Sequence, residues 1–196
     1  MGATVWTVGH STRSLEELTA LLREHGVRRV VDVRRFPGSR RYPHFGRAAL
    51  AAGLARARIE YRHEPELGGR RTPRPESPNL GLRSAGFRGY ADHMATSAFR
   101  DALDRVLDEA ARVPTALLCA EAVPWRCHRW LIADALAARD AAVLHILGPG
   151  RAAPHTLTPG ALLLPTGTLL YPAGAGLPRP PDAGPGPGVV PDAARG

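Results

Sequence analysis

Leu117-Leu118-Cys119-Ala120-Glu121, followed by Pro124-Trp125-Arg126-Cys127-His128-Arg129, decides how this chain is read. Thr115 to Leu118 is short, apolar and preceded by Pro114, the pattern of a buried strand. From Cys127 onward, Trp130, Leu131, Ala135 and Leu136 recur at helical spacing. The segment therefore reads as a core strand, a polar loop and a helix. Cys119 falls at the carboxyl end of the strand and Cys127 in the first helical turn. In open α/β sheets, ligands bind outside the carboxyl ends of the strands. Free amides and the helix dipole there favour anions, a thiolate included.

Working outward, the same grammar repeats. Thr4 to Val8 is an apolar strand that exits into Gly9-His10-Ser11. Ser14-Leu15-Glu16-Glu17 is a capping box, with Ser14 as N-cap and Glu17 at N3. Leu15, Leu18 and Leu22 form the apolar stripe of the helix it opens, and Gly26 closes that helix at C′. Val27 to Val33 is a second strand, ending in Asp32-Val33-Arg34. Strand, helix and strand within about 30 residues make a βαβ unit, so these strands should be parallel. A weaker helix runs from about Arg47 to Ala57, interrupted by Gly53. Ile59 to His63 is a third strand.

A long Gly/Pro-rich stretch, 64–86, carries Leu67-Gly68-Gly69-Arg70-Arg71. Loops of this length in a compact domain are usually functional or mobile. Helices follow near Gly89–Met94 and Ser97–Arg112, and Ala142 to Leu147 is a fifth strand. Thr158-Pro159 reads as a helix start, and Leu169-Leu170-Tyr171 as a short edge strand. The expected fold is α/β: a mostly parallel sheet of four to five strands flanked by helices. It forms a single domain over 1–172. Residues 173–196 are almost all Pro, Gly, Ala or charged, and are expected to be a disordered tail.

Composition narrows the function. The chain has 196 residues, enough for one substantial core, and 44% of them are hydrophobic. No run approaches the roughly 20 apolar residues of a membrane span. Nothing at the start resembles a charged-then-apolar leader. Two cysteines make no disulfide framework, and free thiols fit a cytoplasmic location. The net charge of +8 comes from arginine, whose planar fork matches phosphate and carboxylate. A GC-rich genome that favours arginine codons would raise the charge as well.

The strand exits supply the candidate site. They carry His10 and Ser11, Asp32 and Arg34, His63 and Glu64, and Cys119 and Glu121; parallel strands would bring all of them to one rim. Cys119 and Cys127 are candidate thiolates, His128 or His10 a base, and Glu121 a proton carrier. Ser11, Asp32, Arg34, Arg126, Arg129, Gly68 and Gly69 are candidate substrate-binding residues. Bland readings compete: Cys119 as a small core hydrophobe, His128 as an exposed helix-start residue, Asp32 as a bidentate holder of Arg34. Cys119, Cys127 and His128 could also ligate zinc or iron, although Cys-x7-Cys-His is not a structural zinc spacing and no motif implies a cofactor. A phosphatase Cys-x5-Arg loop, a P-loop and the glycine-rich dinucleotide fingerprint are all absent.

Val8-Gly9-His10-Ser11, Asp32-Val33-Arg34, Leu67-Gly68-Gly69, Leu117-Leu118-Cys119-Ala120-Glu121 and Cys127-His128-Arg129 together resemble the signature blocks of the domain of unknown function 488 family. His145-Ile146, His155-x-Leu157-Thr158 and Tyr171-Pro172 are similar to its C-terminal pattern. The resemblance spans Thr4 to Pro172 and implies a small prokaryotic cytosolic α/β domain, with no activity attached. The residues themselves favour an enzyme acting on an anionic, phosphate- or carboxylate-bearing small molecule. Two alternatives stand beside it: a metal-binding protein, and a nucleic-acid-binding module using the basic 64–86 loop.

Overall fold

The carboxyl ends of three neighbouring strands converge on one edge of a six-stranded sheet. The computed structural model describes residues 2–38 and 42–176. β1 (Thr4–Gly9), β2 (Arg29–Asp32), β3 (Glu60–His63), β4 (Thr115–Cys119) and β5 (Ala142–Gly148) are parallel. The strand order is β3-β2-β4-β1-β5-β6. The chain leaves β1 for β2 and β3, returns to insert β4 between β2 and β1, then crosses to β5. The reversal lies between β4 and β1, the position at which open α/β sheets bind ligands.

The sixth strand, β6 (Arg151–Pro154), pairs antiparallel with β5 and exceeds the four to five strands expected. Its sequence, Arg-Ala-Ala-Pro, has no apolar alternation, and Pro154 suits only an edge. β7 (Leu162–Leu163) and β8 (Leu169–Leu170) form a separate two-stranded ribbon.

The period-two pleat sorts the core into two layers. Val30, Ala116 and Leu118 face α1 (Leu15–Glu24) and α2 (Arg47–Arg56). Val31, Leu117 and Cys119 face α3 (Ala85–Met94), α4 (Ser97–Ala110) and α5 (Arg129–Ala137). Cys119 thus continues the α3–α5 face at the point where the strand stops. The Ser14–Glu17 capping box is formed, and Gly26 sits beyond α1 at φ 65°. Gly53, which weakens α2 as a helix, has a packing reason. A Cβ there would lie 2.1 Å from Leu15 Cδ2, so its absence lets α1 and α2 meet closely.

Two local readings are corrected. α5 begins at Arg129, so Cys127 lies before the helix in extended backbone (φ −131°, ψ 146°). Thr158-Pro159 opens no helix, because the Thr158 hydroxyl that would cap it bonds Asp134 of α5 instead. Of the expected tail, 173–176 are described and Ala175 is buried; 177–196 lie outside the described residues. No helix among the described residues is long and apolar enough to cross a membrane.

Candidate functional site

Two sulfurs and an imidazole form the floor of the site. Cys119 ends β4, while the short 3-10 turn Pro124–Arg126 brings the chain back to Cys127. Backbone that passes from extended at Cys127 to helical at His128 (φ −56°, ψ −16°) turns both neighbouring side chains inward. His128 Nδ1 stands 4.0 Å from Cys119 Sγ and 3.7 Å from Cys127 Sγ. His128 Nε2 faces only the carbonyl of Val33 at 3.0 Å, so it carries the proton and donates. The sulfurs are therefore left to Nδ1. Both cysteines are free and buried.

The two sulfurs share their acidity unequally. Cys119 donates its thiol hydrogen to Cys127, and this bond, with burial, raises Cys119 well above the ordinary thiol range. Burial pushes Cys127 the same way, but the Cys119 hydrogen bond and the charge of Arg129 act against it, and the balance lies well below that range. Cys127 is the more acidic of the pair.

Arg34 is held rigidly beside this floor. Asp32, fully buried, accepts from Arg34 Nε at 2.8 Å and Nη2 at 2.6 Å, and from the Tyr61 hydroxyl at 2.9 Å. Arg34 Nη1 donates to the Phe45 carbonyl at 2.9 Å and approaches His10 Nε2 at 3.4 Å. Burial works against the Arg34 charge; the Asp32 hydrogen bond and charge more than offset it. His10 donates from Nδ1 to the Ser11 carbonyl and stacks on Phe45 at 4.1 Å. Burial, helped by the Arg34 charge, pushes its pKa down to about 4, so at neutral pH its Nε2 presents a lone pair.

Above the floor opens a cavity of about 1080 Å³. His10, Ser11, Arg34, Gly69, Cys119, Glu121, Arg126, Cys127 and His128 all line it. Asp32, Gly68 and Arg129 do not. Asp32 holds Arg34 from behind, and Gly68 packs on the backbone of Arg35, where a Cβ would come within 2.7 Å of Cα. A Cβ on Gly69 would lie 2.7 Å from His128 Nδ1, so this glycine lets the loop close on the imidazole. The exit of β3 stays apart: His63 donates to the Arg34 carbonyl, and Glu64 pairs with Arg62 and Arg105.

Arg129 is buried behind the sulfurs. It donates to the Glu121 carbonyl, and its Nη1 reaches Thr7 Oγ1 at 3.5 Å. From Thr7 a hydrogen-bonded series continues to His145 Nδ1 (2.7 Å), from His145 Nε2 to His155 Nδ1 (3.0 Å), and from His155 Nε2 to Asp134 Oδ1 (2.9 Å). With neutral rings, every donor in this series points toward Asp134. Burial, with the Arg129 charge nearby, pushes the His145 pKa down to about 3. Asp134 also accepts from Thr158 and from the Tyr171 hydroxyl.

Several cavity residues carried no sequence signal. Tyr90 packs against His128 with ring centroids 5.0 Å apart and donates to the Leu67 carbonyl, yet in sequence it is one apolar position of a helix. Arg35 donates to the Arg70 carbonyl and lies over the exposed Phe36 ring. Ser11 and Arg70 adopt left-handed backbone, φ 49° and 57°. Such non-glycine outliers concentrate at functional sites.

The family described as Domain of unknown function DUF488 matches residues 14–136, and the chain belongs to it. That span holds Arg34, Gly69, Cys119, Cys127 and His128, while His10, His145 and His155 fall outside. No curated protein and no solved structure matches the chain.

Proposed function

We propose that the protein is an enzyme acting on a small anionic molecule, phosphate- or carboxylate-bearing, with its chemistry at Cys119, Cys127 and His128. The observation that carries this reading is the cavity itself, a sulfur–imidazole floor beneath arginines. Arg34 supplies a fixed charge at depth. The exposed side chains of Arg70 and Arg126 make no hydrogen bond or ion pair among the described residues and are available to a ligand. Guanidinium groups in a partly desolvated cleft select anions with planar or tetrahedral oxygens. The cavity has the size of a small-molecule site. A concave site supports a small ligand over a nucleic-acid strand, which tracks an extended basic groove with stacking aromatics.

Glu121 stands exposed at the mouth, where it can exchange protons with solvent and ligand. Calorimetric titration with inorganic pyrophosphate and with malonate tests the reading. One of them should bind at a single saturable site, and Arg126→Ala should weaken it by about tenfold, as loss of a charge-assisted contact predicts. Absence of saturable binding for both, or equal binding by the variant, overturns the proposal.

A further inference from the structure

We propose that Cys119 Sγ, Cys127 Sγ and His128 Nδ1 form a three-ligand site for zinc whose fourth position faces the cavity and takes the anionic ligand. This deepens the function above by naming what the floor holds.

Distance is the first argument. With Zn–S near 2.3 Å and Zn–N near 2.0–2.1 Å, tetrahedral geometry sets ligand sulfur and nitrogen about 3.6 Å apart. The two measured separations are 3.7 and 4.0 Å, and all three donor atoms lie within 4.8 Å of one another. In the metal-free protein a hydrogen-bond chain can run from Cys119 to Cys127 and on to Nδ1, each donor used once. The same three atoms also stand at the separations that one tetrahedral cation requires. A single cation between them satisfies all three.

The tautomer is the second argument. Metal-ligating histidines almost always commit their other ring N–H to an acceptor, which fixes the lone pair on the ligating nitrogen. His128 Nε2 is committed to the Val33 carbonyl at 3.0 Å. The third argument is the number of ligands. Structural zinc sites close with four protein ligands, whereas catalytic ones keep three and an open position. The cluster offers three among the described residues, and all three side chains line the cavity. Thiolate with imidazole is a donor set that suits zinc rather than magnesium or calcium.

The test uses the full chain, reduced and stripped with a chelator, then titrated with cobalt(II) as a spectroscopic substitute for zinc. Sulfur-to-cobalt charge-transfer absorption should rise to one equivalent and vanish when zinc is added. Cys119→Ser should lose roughly half of that absorption, since one of two thiolates is gone. His128→Gln should keep the absorption but bind cobalt at least ~10-fold more weakly. Wild-type protein without charge-transfer absorption at one equivalent overturns the metal site, and so does absorption unchanged in Cys119→Ser. Pyrophosphate or malonate binding is measured in parallel on the stripped and on the metal-loaded protein. Anion binding without the cobalt bands defeats the metal site alone. Cobalt bands without anion binding defeat the proposed function and leave the metal site standing.

Discussion

At the scale of single residues, the site depends on groups that act through others. Asp32 and Arg34 are both buried, and the carboxylate also takes the Tyr61 hydroxyl. Removing the charge of one partner leaves the other uncompensated in the interior. Asp32→Asn should therefore cost about 3–5 kcal/mol in urea unfolding; a loss below about 1 kcal/mol would show that Arg34 finds other compensation. Gly69→Ala is a local test of the floor. Its methyl would fall 2.7 Å from His128 Nδ1, so the ring must move off the sulfurs. Cysteine reactivity should change in that variant while melting temperature shifts only modestly. Unchanged reactivity would mean that the loop yields instead of the ring. The pairing of Asp32 with Arg34 is legible in sequence, because the two are neighbours after a strand and their types match. The burial of Arg129 is not. An arginine in a helix's first turn is ordinarily solvated, and only the Glu121 carbonyl and Thr7 determine otherwise.

At the scale of elements, most parts with local signals are read correctly, the helix starts placed at Cys127 and Thr158 excepted, and those made by distant pairing are missed. The Ser14 capping box, the Gly26 terminus and the strand ending at Cys119 each follow from contiguous residues. His145, His155 and Tyr171 stand out in sequence only as part of the C-terminal resemblance, and Asp134 not at all; nothing there shows that the four bond together, yet they tie α5 to β5, to the segment after β6 and to β8. This network explains why Thr158 starts no helix. It also explains how a short edge strand of weak propensity is retained. Asp134 accepts four hydrogen bonds, from His155, the Thr158 amide, the Thr158 hydroxyl and Tyr171. Asp134→Asn should destabilise the protein by about 2–4 kcal/mol, since donors to a buried charge are left facing a neutral amide. Hydrogen exchange should speed first in β6 and β8. Equal protection in variant and wild type would contradict the claim that Asp134 ties these elements down.

For the molecule as a whole, two buried neutral histidines make stability depend on acid. His10 titrates near 4 and His145 near 3 in the fold, against about 6.5 when unfolded. Below pH 6.5 the unfolded chain binds protons that the folded chain refuses, so stability falls as pH falls. Each histidine should contribute about 1.4 kcal/mol per pH unit across the window from about 6 to 4. The contribution of these two groups is level above pH 7. Melting temperature followed from pH 7.5 to 4 should decline through that window, and His145→Asn should flatten the decline. A profile identical in the variant would remove His145 from the account.

The central claim is that the sulfurs and the arginines belong to one site. The most direct measurement is the rate of iodoacetamide labelling of the chelator-stripped protein at pH 7, with the modified sulfur identified by mass spectrometry. Cys127, the more acidic of the pair, should label before Cys119. Saturating pyrophosphate or malonate, whichever binds, should slow that labelling by filling the cavity above it. Bound anion that leaves the Cys127 rate unchanged would place the anion elsewhere and contradict the account.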